Sequence, residues 1–190
     1  MKKLPANFEY TKYGMTIKLA RIEDAEFIHS LRTNPKSAPF MHIEGCTLET
    51  QRIWLEQYKE REKRGIDYYF VYYKDDEPIG VDRLYHINET DFHCGSWVFK
   101  HGLPAYCSMA GAIMAREIAF EILEKNIEYN HKDGIVSSNT NVLRFMTMLG
   151  FKKTGEHVEG KFCFINGILT KEDFETNKSK IIRFVPKELQ

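Results

Sequence analysis

His93 is the residue in this chain whose type is best suited to accepting a proton. An imidazole has a pKa near about 6.5, so at neutral pH it can take a proton from an ammonium group. His93 lies in residues 92–99, which have the pattern of a strand. Because the chain contains seven histidines, the alternative is that His93 is an ordinary exposed histidine near a turn.

Other groups of residues were compared with the patterns of a ligand pocket, a metal site and known catalytic motifs, and only an aromatic pair fits one of them. Trp54 and Tyr58 stand one helical turn apart and could line a pocket against a sugar or a base, or could simply belong to the core. His86, His93 and His101 are seven and eight residues apart, with no carboxylate or cysteine at ligand spacing, so we expect no metal site. The sequence also lacks a Walker loop, a G-x-S-x-G motif and a Rossmann glycine cluster.

The cysteine pattern favours a reducing compartment. Cys46, Cys94, Cys107 and Cys163 include no C-x-x-C pair, so we interpret them as reduced cysteines of a cytoplasmic protein. A nucleophilic or metal-binding cysteine is the alternative, and it would need a basic partner that lowers the pKa of its thiol.

Charge and hydropathy limit the classes of partner. The chain has 27 basic and 27 acidic residues, and this balance argues against a nucleic-acid partner. No segment approaches the roughly 20 apolar residues of a membrane span, and the basic start is not followed by the apolar run of an export signal. We therefore expect a small ligand and no membrane partner.

Periodicity predicts one domain in which strands and helices alternate. The length of 190 residues suits a single domain at residues 15–190, preceded by an extension at residues 1–14. Strands are predicted at residues 15–20, 68–73, 79–87, 92–99, 127–136, 151–157 and 161–165, and Asn166-Gly167, after the last of them, is the strongest short hairpin signal in the chain. Helices are predicted at residues 23–31, 47–64, 108–125, 141–149 and 169–180.

Three local motifs occur in an order that matches a known family. Residues 139–151, NTNVLRFMTMLGF, resemble N-x-x-A-x-x-x-Y-x-x-x-G-F. Residues 77–81, EPIGV, resemble the turn and strand G-x-x-I-G, and residues 95–98, GSWV, resemble G-x-W-[IV]. Together with the order of elements, they resemble the GNAT superfamily of acetyl-CoA-dependent N-acetyltransferases, specifically the branch that acetylates ribosomal-protein N-termini and nucleotide-linked amino sugars.

The resemblance implies a fold and a chemistry. The fold would be an α+β three-layer arrangement with a mixed, mostly antiparallel sheet, splayed central strands and flanking helices. Acetyl would pass directly from acetyl-CoA to a primary amine, without a metal. The pantetheine arm would pair with Trp97, Val98 and Phe99, with an N–H near Val98 polarising the thioester carbonyl. Asn139 and Phe145 would belong to the coenzyme site, although Asn139 could instead cap the following helix.

Two departures from the family pattern concern the coenzyme. The loop motif Q/R-x-x-G-x-G/A is replaced by Leu103, Tyr106 and Ser108. The backbone N–H groups of Ala105, Tyr106, Cys107, Ser108 and Met109 are still expected to point toward the pyrophosphate, with a plain helix start as the alternative. Met146 stands where the family has the Tyr that protonates the departing thiolate, and a thioether cannot donate a proton. Another group or water must supply that proton, or the protein does not catalyse.

The resemblance also assigns the acceptor side. Arg83 and Tyr85 share one face of a strand on which the family places acceptor-binding groups, so they would bind the acceptor, and His93, at a position where related enzymes often have Glu, would act as the base. Trp54 is a candidate for the acceptor pocket because of its aromatic ring, independently of the resemblance. For Arg83 the alternative is a cross-strand ion pair. The expected acceptor is a nucleotide-linked amino sugar or another small amine. A protein N-terminus, or binding of acyl-CoA or a partner without turnover, remains an alternative, and a homodimer is possible for a chain of this family.

Overall fold

One mixed sheet forms the middle layer of the structure, a computed structural model that describes residues 1–41 and 43–190, with the backbone alone at residues 131–133. Its strands are β1 Glu9–Lys12, β2 Met15–Leu19, β3 Asp67–Lys74, β4 Glu77–Tyr85, β5 Asp91–Phe99, β6 Ile127–Val136, β7 Lys152–Glu159 and β8 Phe162–Thr170. They lie in the order β1-β2-β3-β4-β5-β6-β8-β7. Only β5 and β6 pair in parallel among the described residues. The predicted mixed, mostly antiparallel sheet is confirmed.

Helices cover both faces of this sheet. They are α1 Ala25–Arg32, α2 Leu48–Arg64, α3 Ala105–Glu117, α4 Thr140–Leu149, α5 Lys171–Asn177 and α6 Ser179–Ile182. One hydrophobic cluster packs α1 and α2 on the sheet through Leu55 and Tyr69. A second cluster packs α3, α4 and α5 on the opposite face and includes Phe70 and Ile113. No helix within residues 1–41 and 43–190 combines the length and apolar composition needed to cross a membrane.

Helix α2 begins and ends where its capping residues stand. The Thr47 side chain accepts a hydrogen bond from the Thr50 N–H, which satisfies one of the N–H groups that have no partner inside the helix. Gly65 ends the helix at φ +77°, in the left-handed region that glycine enters without steric cost. The predicted helix at residues 47–64 therefore matches the structure.

The helix predicted at residues 108–125 begins three residues earlier and ends in a π-helical turn. It starts at Ala105, directly after Pro104, because a proline fixes φ and has no N–H to satisfy. It continues past Glu117 as a π-helical turn, Ile118–Ile122. Glu117, which the pattern places on the polar edge, is buried. Ser108 is thus inside the first turns and does not cap the helix.

The hairpin prediction at Asn166-Gly167 is wrong. These residues lie inside β8, where they pair with both β6 and β7. The turn between β7 and β8 is instead at Gly160, with φ +56°. Gly167 is needed for close packing, since a Cβ there would collide with the ring of Phe151 and with the Lys152 carbonyl. Strand β8 consequently reaches Thr170, and the next helix starts at Lys171.

Part of the predicted N-terminal extension is ordered against the domain. Glu9–Lys12 form β1, which pairs with β2 at the edge of the sheet. Leu4 and Phe8 are buried in the same core cluster as α3.

Candidate functional site

The central strands β5 and β6 form a fork. Among the residues that the structure describes, they pair only through Asp91 with Ile127 and Phe92 with Glu128. The predicted splay of the central strands is confirmed. Side chains and backbone from both strands line a cavity of about 510 Å³, which we call the fork cavity. Strand edges left unpaired carry N–H and C=O groups that can pair with an extended ligand.

A β-bulge in β5 shapes the wall of this cavity. Val81 of β4 faces Val98, but Arg83 faces Gly95, so β5 has one extra residue between the two pairs. Ser96, in the bulge, has φ +56°. A bulge bends the strand and re-aims its side chains, and bulges are over-represented beside active sites.

Strand alternation decides which backbone groups of β5 face the fork. The Lys100 N–H donates to the Ile79 carbonyl of β4 at 2.8 Å. Since hydrogen-bonded and non-hydrogen-bonded pairs alternate in an antiparallel ladder, Val98 also directs its backbone groups toward β4, whereas Phe99 directs its own toward the open side. The N–H expected near Val98 to face the coenzyme is therefore that of Phe99.

Six of the ten predicted coenzyme residues line the fork or the space beside it. Trp97, Val98 and Asn139 line the fork cavity. Phe99, Ala105 and Ser108 line a neighbouring space of about 330 Å³ at the start of α3, which we call the loop cavity and which also includes Trp97 and Val98. The Asn139 side chain accepts the Val142 N–H at 3.4 Å, so this residue caps α4 while it lines the cavity.

The other four predicted coenzyme residues, Tyr106, Cys107, Met109 and Phe145, line neither cavity. Cys107 is fully buried in the core, and its N–H bonds back to the Pro104 carbonyl. The ring of Phe145 packs behind Trp97 with centroids 4.8 Å apart. Its contribution to the site is to support Trp97, whose indole N–H also donates to the Ser108 carbonyl at 3.1 Å.

His93 does not reach the cavities described above. It is only 5% exposed and stacks on Tyr85, with ring centroids 4.6 Å apart. Tyr85 itself lines the fork cavity, whereas His93 does not. The sequence pattern could not reveal this, because alternation fixes the face of a strand but not which neighbour covers the side chain.

Arg83 forms a buried cross-strand ion pair, the alternative considered for it. Its Nε and Nη2 donate to the two carboxylate oxygens of Asp67 at 2.8 and 2.7 Å. The guanidinium lies over the rings of Trp54, at 4.8 Å, and Tyr85, at 4.4 Å. Oδ2 of Asp67 also accepts a hydrogen bond from Nε of Arg61 at 2.7 Å, so one carboxylate faces two guanidinium groups, and the pair with Arg83 holds both rings in position.

A second pocket adjoins the fork cavity on this side of the sheet. This Trp54 pocket, of about 340 Å³, is lined by residues that include Trp54, Thr50 and Arg32. It shares Arg32, Arg83 and Ser96 with the fork cavity. Trp54 also stacks on Tyr58 at 5.7 Å, so it serves both the core and the pocket.

Four polar residues that the sequence did not single out meet at the fork. Arg116 of α3 donates to both carboxylate oxygens of Glu128 at 2.8 Å and to the sulfur of Met146 at 3.2 Å. The Cys94 thiol donates to Oδ1 of Asp82 at 3.3 Å. Arg116, Glu128 and Cys94 line the fork cavity.

Burial raises the pKa of two of these four residues, Asp82 and Cys94. It raises the pKa of Asp82 to about 7, although the nearby Arg116 opposes the change. Burial also raises the pKa of the Cys94 thiol well above its usual value, so the thiol is protonated at neutral pH. One sequence signal existed: Asp82 is a charged residue that shares its face of the predicted strand with Gly80 and Leu84. Arg116 and Glu128 are joined only by the fold. Within the described part of the chain, no group of His, Cys, Asp or Glu is arranged to hold a metal ion.

Solved structures share this architecture over nearly the whole chain. FdhC in its apo form, described as a nucleotide-linked sugar GNAT, is 28% identical, with 95% of this chain and 99% of that chain covered and a TM-score of 0.78. The ribosomal-protein-S5-alanine acetyltransferase from Vibrio fischeri is 15% identical over 88% and 99% of the chains, with a TM-score of 0.71. RimJ from Mycobacterium smegmatis in complex with CoA-disulfide is 14% identical over 92% and 91%, with a TM-score of 0.74. The last two likenesses concern the fold. Neither a protein-family model nor a curated protein matches the sequence.

Proposed function

Because the chain belongs to the GNAT superfamily of acyltransferases, we propose that it moves acetyl from acetyl-CoA to the primary amine of a nucleotide-linked amino sugar, without a covalent enzyme intermediate. The observation that carries this proposal is the fork. In the described part of the chain two pairs of residues join β5 to β6, and the fork cavity lies beside the rest of that edge of β5.

The coenzyme side of the proposal rests on continuity between two spaces. The fork cavity and the loop cavity share Trp97 and Val98, so an extended molecule can run from the start of α3 into the fork. Along this path the backbone of Phe99 offers an N–H and a C=O to a pantetheine arm. The first-turn N–H groups of α3 suit the pyrophosphate, since they have few partners inside a helix. Acetyl-CoA supplies an activated acyl group, and the protein aligns it with the amine.

The acceptor side rests on the Trp54 pocket. A flat aromatic ring and the Arg32 cation beside the fork suit a ligand that carries a base or sugar and a phosphate. Such a ligand could occupy the Trp54 pocket while its amine enters the fork cavity, because the two spaces share Arg32, Arg83 and Ser96. FdhC, described as a nucleotide-linked sugar GNAT, supports the same class of acceptor.

Thiol release from acetyl-CoA tests the proposal. The purified protein is incubated with nucleotide-linked amino sugars, with spermidine and with peptides that have free N-termini, and free CoA is measured. We expect turnover with nucleotide-linked amino sugars. Turnover only with peptides or spermidine would replace the acceptor class. Calorimetric binding of CoA without turnover on any amine would favour a binding module.

Substitution at Trp54 tests the acceptor pocket. We expect Trp54→Ala to raise KM for the amino-sugar nucleotide about fivefold or more, since a stacking ring contributes roughly 1 kcal/mol or more. KM for acetyl-CoA should change little. Ile53→Ala is the matched control, because Ile53 is exposed on the same helix and lines none of the three cavities described. Equal effects of the two variants would contradict the assignment.

A further inference from the structure

The Asp82 carboxyl group is the least explained polar group in the interior. It is completely buried in β4. Its Oδ1 accepts hydrogen bonds from the Arg83 N–H at 2.8 Å and from the Cys94 thiol at 3.3 Å. Its Oδ2 has no hydrogen-bond partner in the described part of the chain. A buried acceptor without a partner destabilises a protein by about 1–3 kcal/mol, so its presence calls for a functional reason.

Charged and titratable groups approach Asp82 from every element packed around it. Arg116 of α3 and Glu128 of β6 form the buried ion pair at the fork, and Cys94 lies on β5. The hydroxyls of Tyr69 and Tyr72 on β3 also lie within electrostatic range. Arg116 thus hydrogen-bonds to Glu128 and acts on Asp82 through its charge. Both oxygens of Glu128 accept hydrogen bonds from Arg116, and its Oε1 also accepts one from the Asn130 side chain at 3.3 Å, whereas Oδ2 of Asp82 has no hydrogen-bond partner in the described part of the chain.

We propose that Cys94 and Asp82 form a relay that takes the proton of the incoming ammonium group out of the fork cavity. Cys94 lines the cavity and donates to Asp82, whereas Asp82 lies behind it and does not line the cavity. Cys94 therefore contacts the acceptor, and Asp82 acts through it. This inference rests on the proposed acetyl transfer and assigns the proton acceptor that His93, buried beneath Tyr85, does not provide.

Proton transfer through the relay precedes acetyl transfer. The acceptor ammonium gives one proton to Sγ of Cys94 while the thiol proton passes to Oδ1 of Asp82, so Cys94 remains a neutral thiol. The free amine attacks the thioester carbonyl, the N–C bond forms, and the C–S bond breaks with its electron pair on sulfur. The second proton of the nitrogen passes to that sulfur, which gives free CoA. Asp82 then returns its proton to solvent through Cys94. The pKa of Asp82, near 7 because of burial, suits a group that must both accept and release a proton at neutral pH.

The pH dependence of kcat/KM tests the relay. The wild type should lose activity on the acid side with an apparent pKa near 7, because a protonated Asp82 cannot accept another proton. Asp82→Asn should lower kcat about 100-fold or more and abolish this acid limb. Cys94→Ala should lower kcat similarly, whereas Cys94→Ser should recover most of the loss, since a hydroxyl can pass a proton. Cys163→Ala is the control for loss of a thiol outside the cavities.

Binding and spectroscopy separate a chemical role from a structural one. CoA affinity by calorimetry should remain within a few-fold of the wild type in folded variants. The infrared S–H stretch of Cys94 should shift as pH crosses about 7 in the wild type and should not shift in Asp82→Asn. The Cys94 pair of variants carries the test if Asp82→Asn does not fold.

The possible results distinguish failure of the relay from failure of the proposed acetyl transfer. A wild type that acetylates none of the amines overturns the acetyl transfer and the relay together. An active wild type refutes the relay alone if Cys94→Ala matches Cys94→Ser, or if Asp82→Asn retains the acid limb. The same conclusion follows if the S–H band is independent of pH. Loss of the limb in His93→Gln with its retention in Asp82→Asn would return the role to His93.

Discussion

At the scale of single residues, burial of Asp82 makes stability depend on pH. Its pKa rises from 3.8 to about 7 on folding, so between these values the folded state holds a proton that the unfolded state has lost. The free energy of unfolding should therefore fall as pH rises through this range, by up to about 1.4 kcal/mol per pH unit. Asp82→Asn should flatten this slope. Urea unfolding at pH 5, 6, 7 and 8 measures it, and parallel curves for the two proteins would contradict the prediction.

The residue scale also shows how far local patterns reach. The motif at residues 95–98 lies in β5, and two of its residues, Trp97 and Val98, line the fork cavity. The same pattern could not show that Tyr85 covers His93, or that Val98 directs its N–H toward β4. These outcomes depend on the bulge at Ser96 and on side-chain packing, which no periodicity records.

At the scale of elements, Gly80 of β4 and Gly111 of α3 leave room for an aromatic ring that projects from β5. The ring of Phe99 lies against Gly80 and Gly111, and a Cβ at Gly111 would come within 2.5 Å of that ring. Alanine normally stabilises a helix by about 1 kcal/mol relative to glycine. Here we expect the reverse, because the ring must move. Gly111→Ala should lower the free energy of unfolding by about 1–3 kcal/mol and weaken CoA binding.

Chemical denaturation and calorimetry measure these two effects of Gly111→Ala. Gly155→Ala is the matched control, since nothing lies within 4 Å of a Cβ placed there. If Gly111→Ala were more stable than the wild type, the Phe99 ring would not be fixed between β4 and α3.

Element boundaries were predictable where a local cap determines them. Thr47 and Gly65 bound α2, and Asn139 and Gly150 bound α4, so the sequence sufficed for both helices. The pair Asn166-Gly167 failed because glycine has two uses, a left-handed turn and close packing, and the sequence alone does not distinguish them. In the folded sheet Gly167 contacts the ring of Phe151, so this glycine serves close packing and not a turn.

At the scale of the whole molecule, Glu117 ties the N-terminal hairpin to α3. Its buried carboxylate accepts hydrogen bonds from the hydroxyls of Tyr10 and Tyr13, each at 3.1 Å, and from Nζ of Lys12 at 2.7 Å. Burial, with Glu117 nearby, raises the pKa of Tyr10 to about 12, so this phenol remains a donor across the physiological range. We expect Glu117→Gln to lower the free energy of unfolding by about 2 kcal/mol.

Thermal and urea unfolding measure the effect of Glu117→Gln. Glu121→Gln serves as the comparison, because Glu121 is exposed and pairs with Lys178, a contact worth less than about 1 kcal/mol. Similar losses in the two variants would mean that the hairpin is held by its apolar residues alone.

The narrow junction between β5 and β6 should be visible in amide hydrogen exchange. Without ligand, the Phe99 amide should exchange rapidly, whereas the adjacent Lys100 amide is protected by its bond to Ile79. Adding CoA should slow exchange at Phe99 and leave Lys100 unchanged. NMR would thus detect the coenzyme as a ninth strand that pairs with β5 only while it is bound.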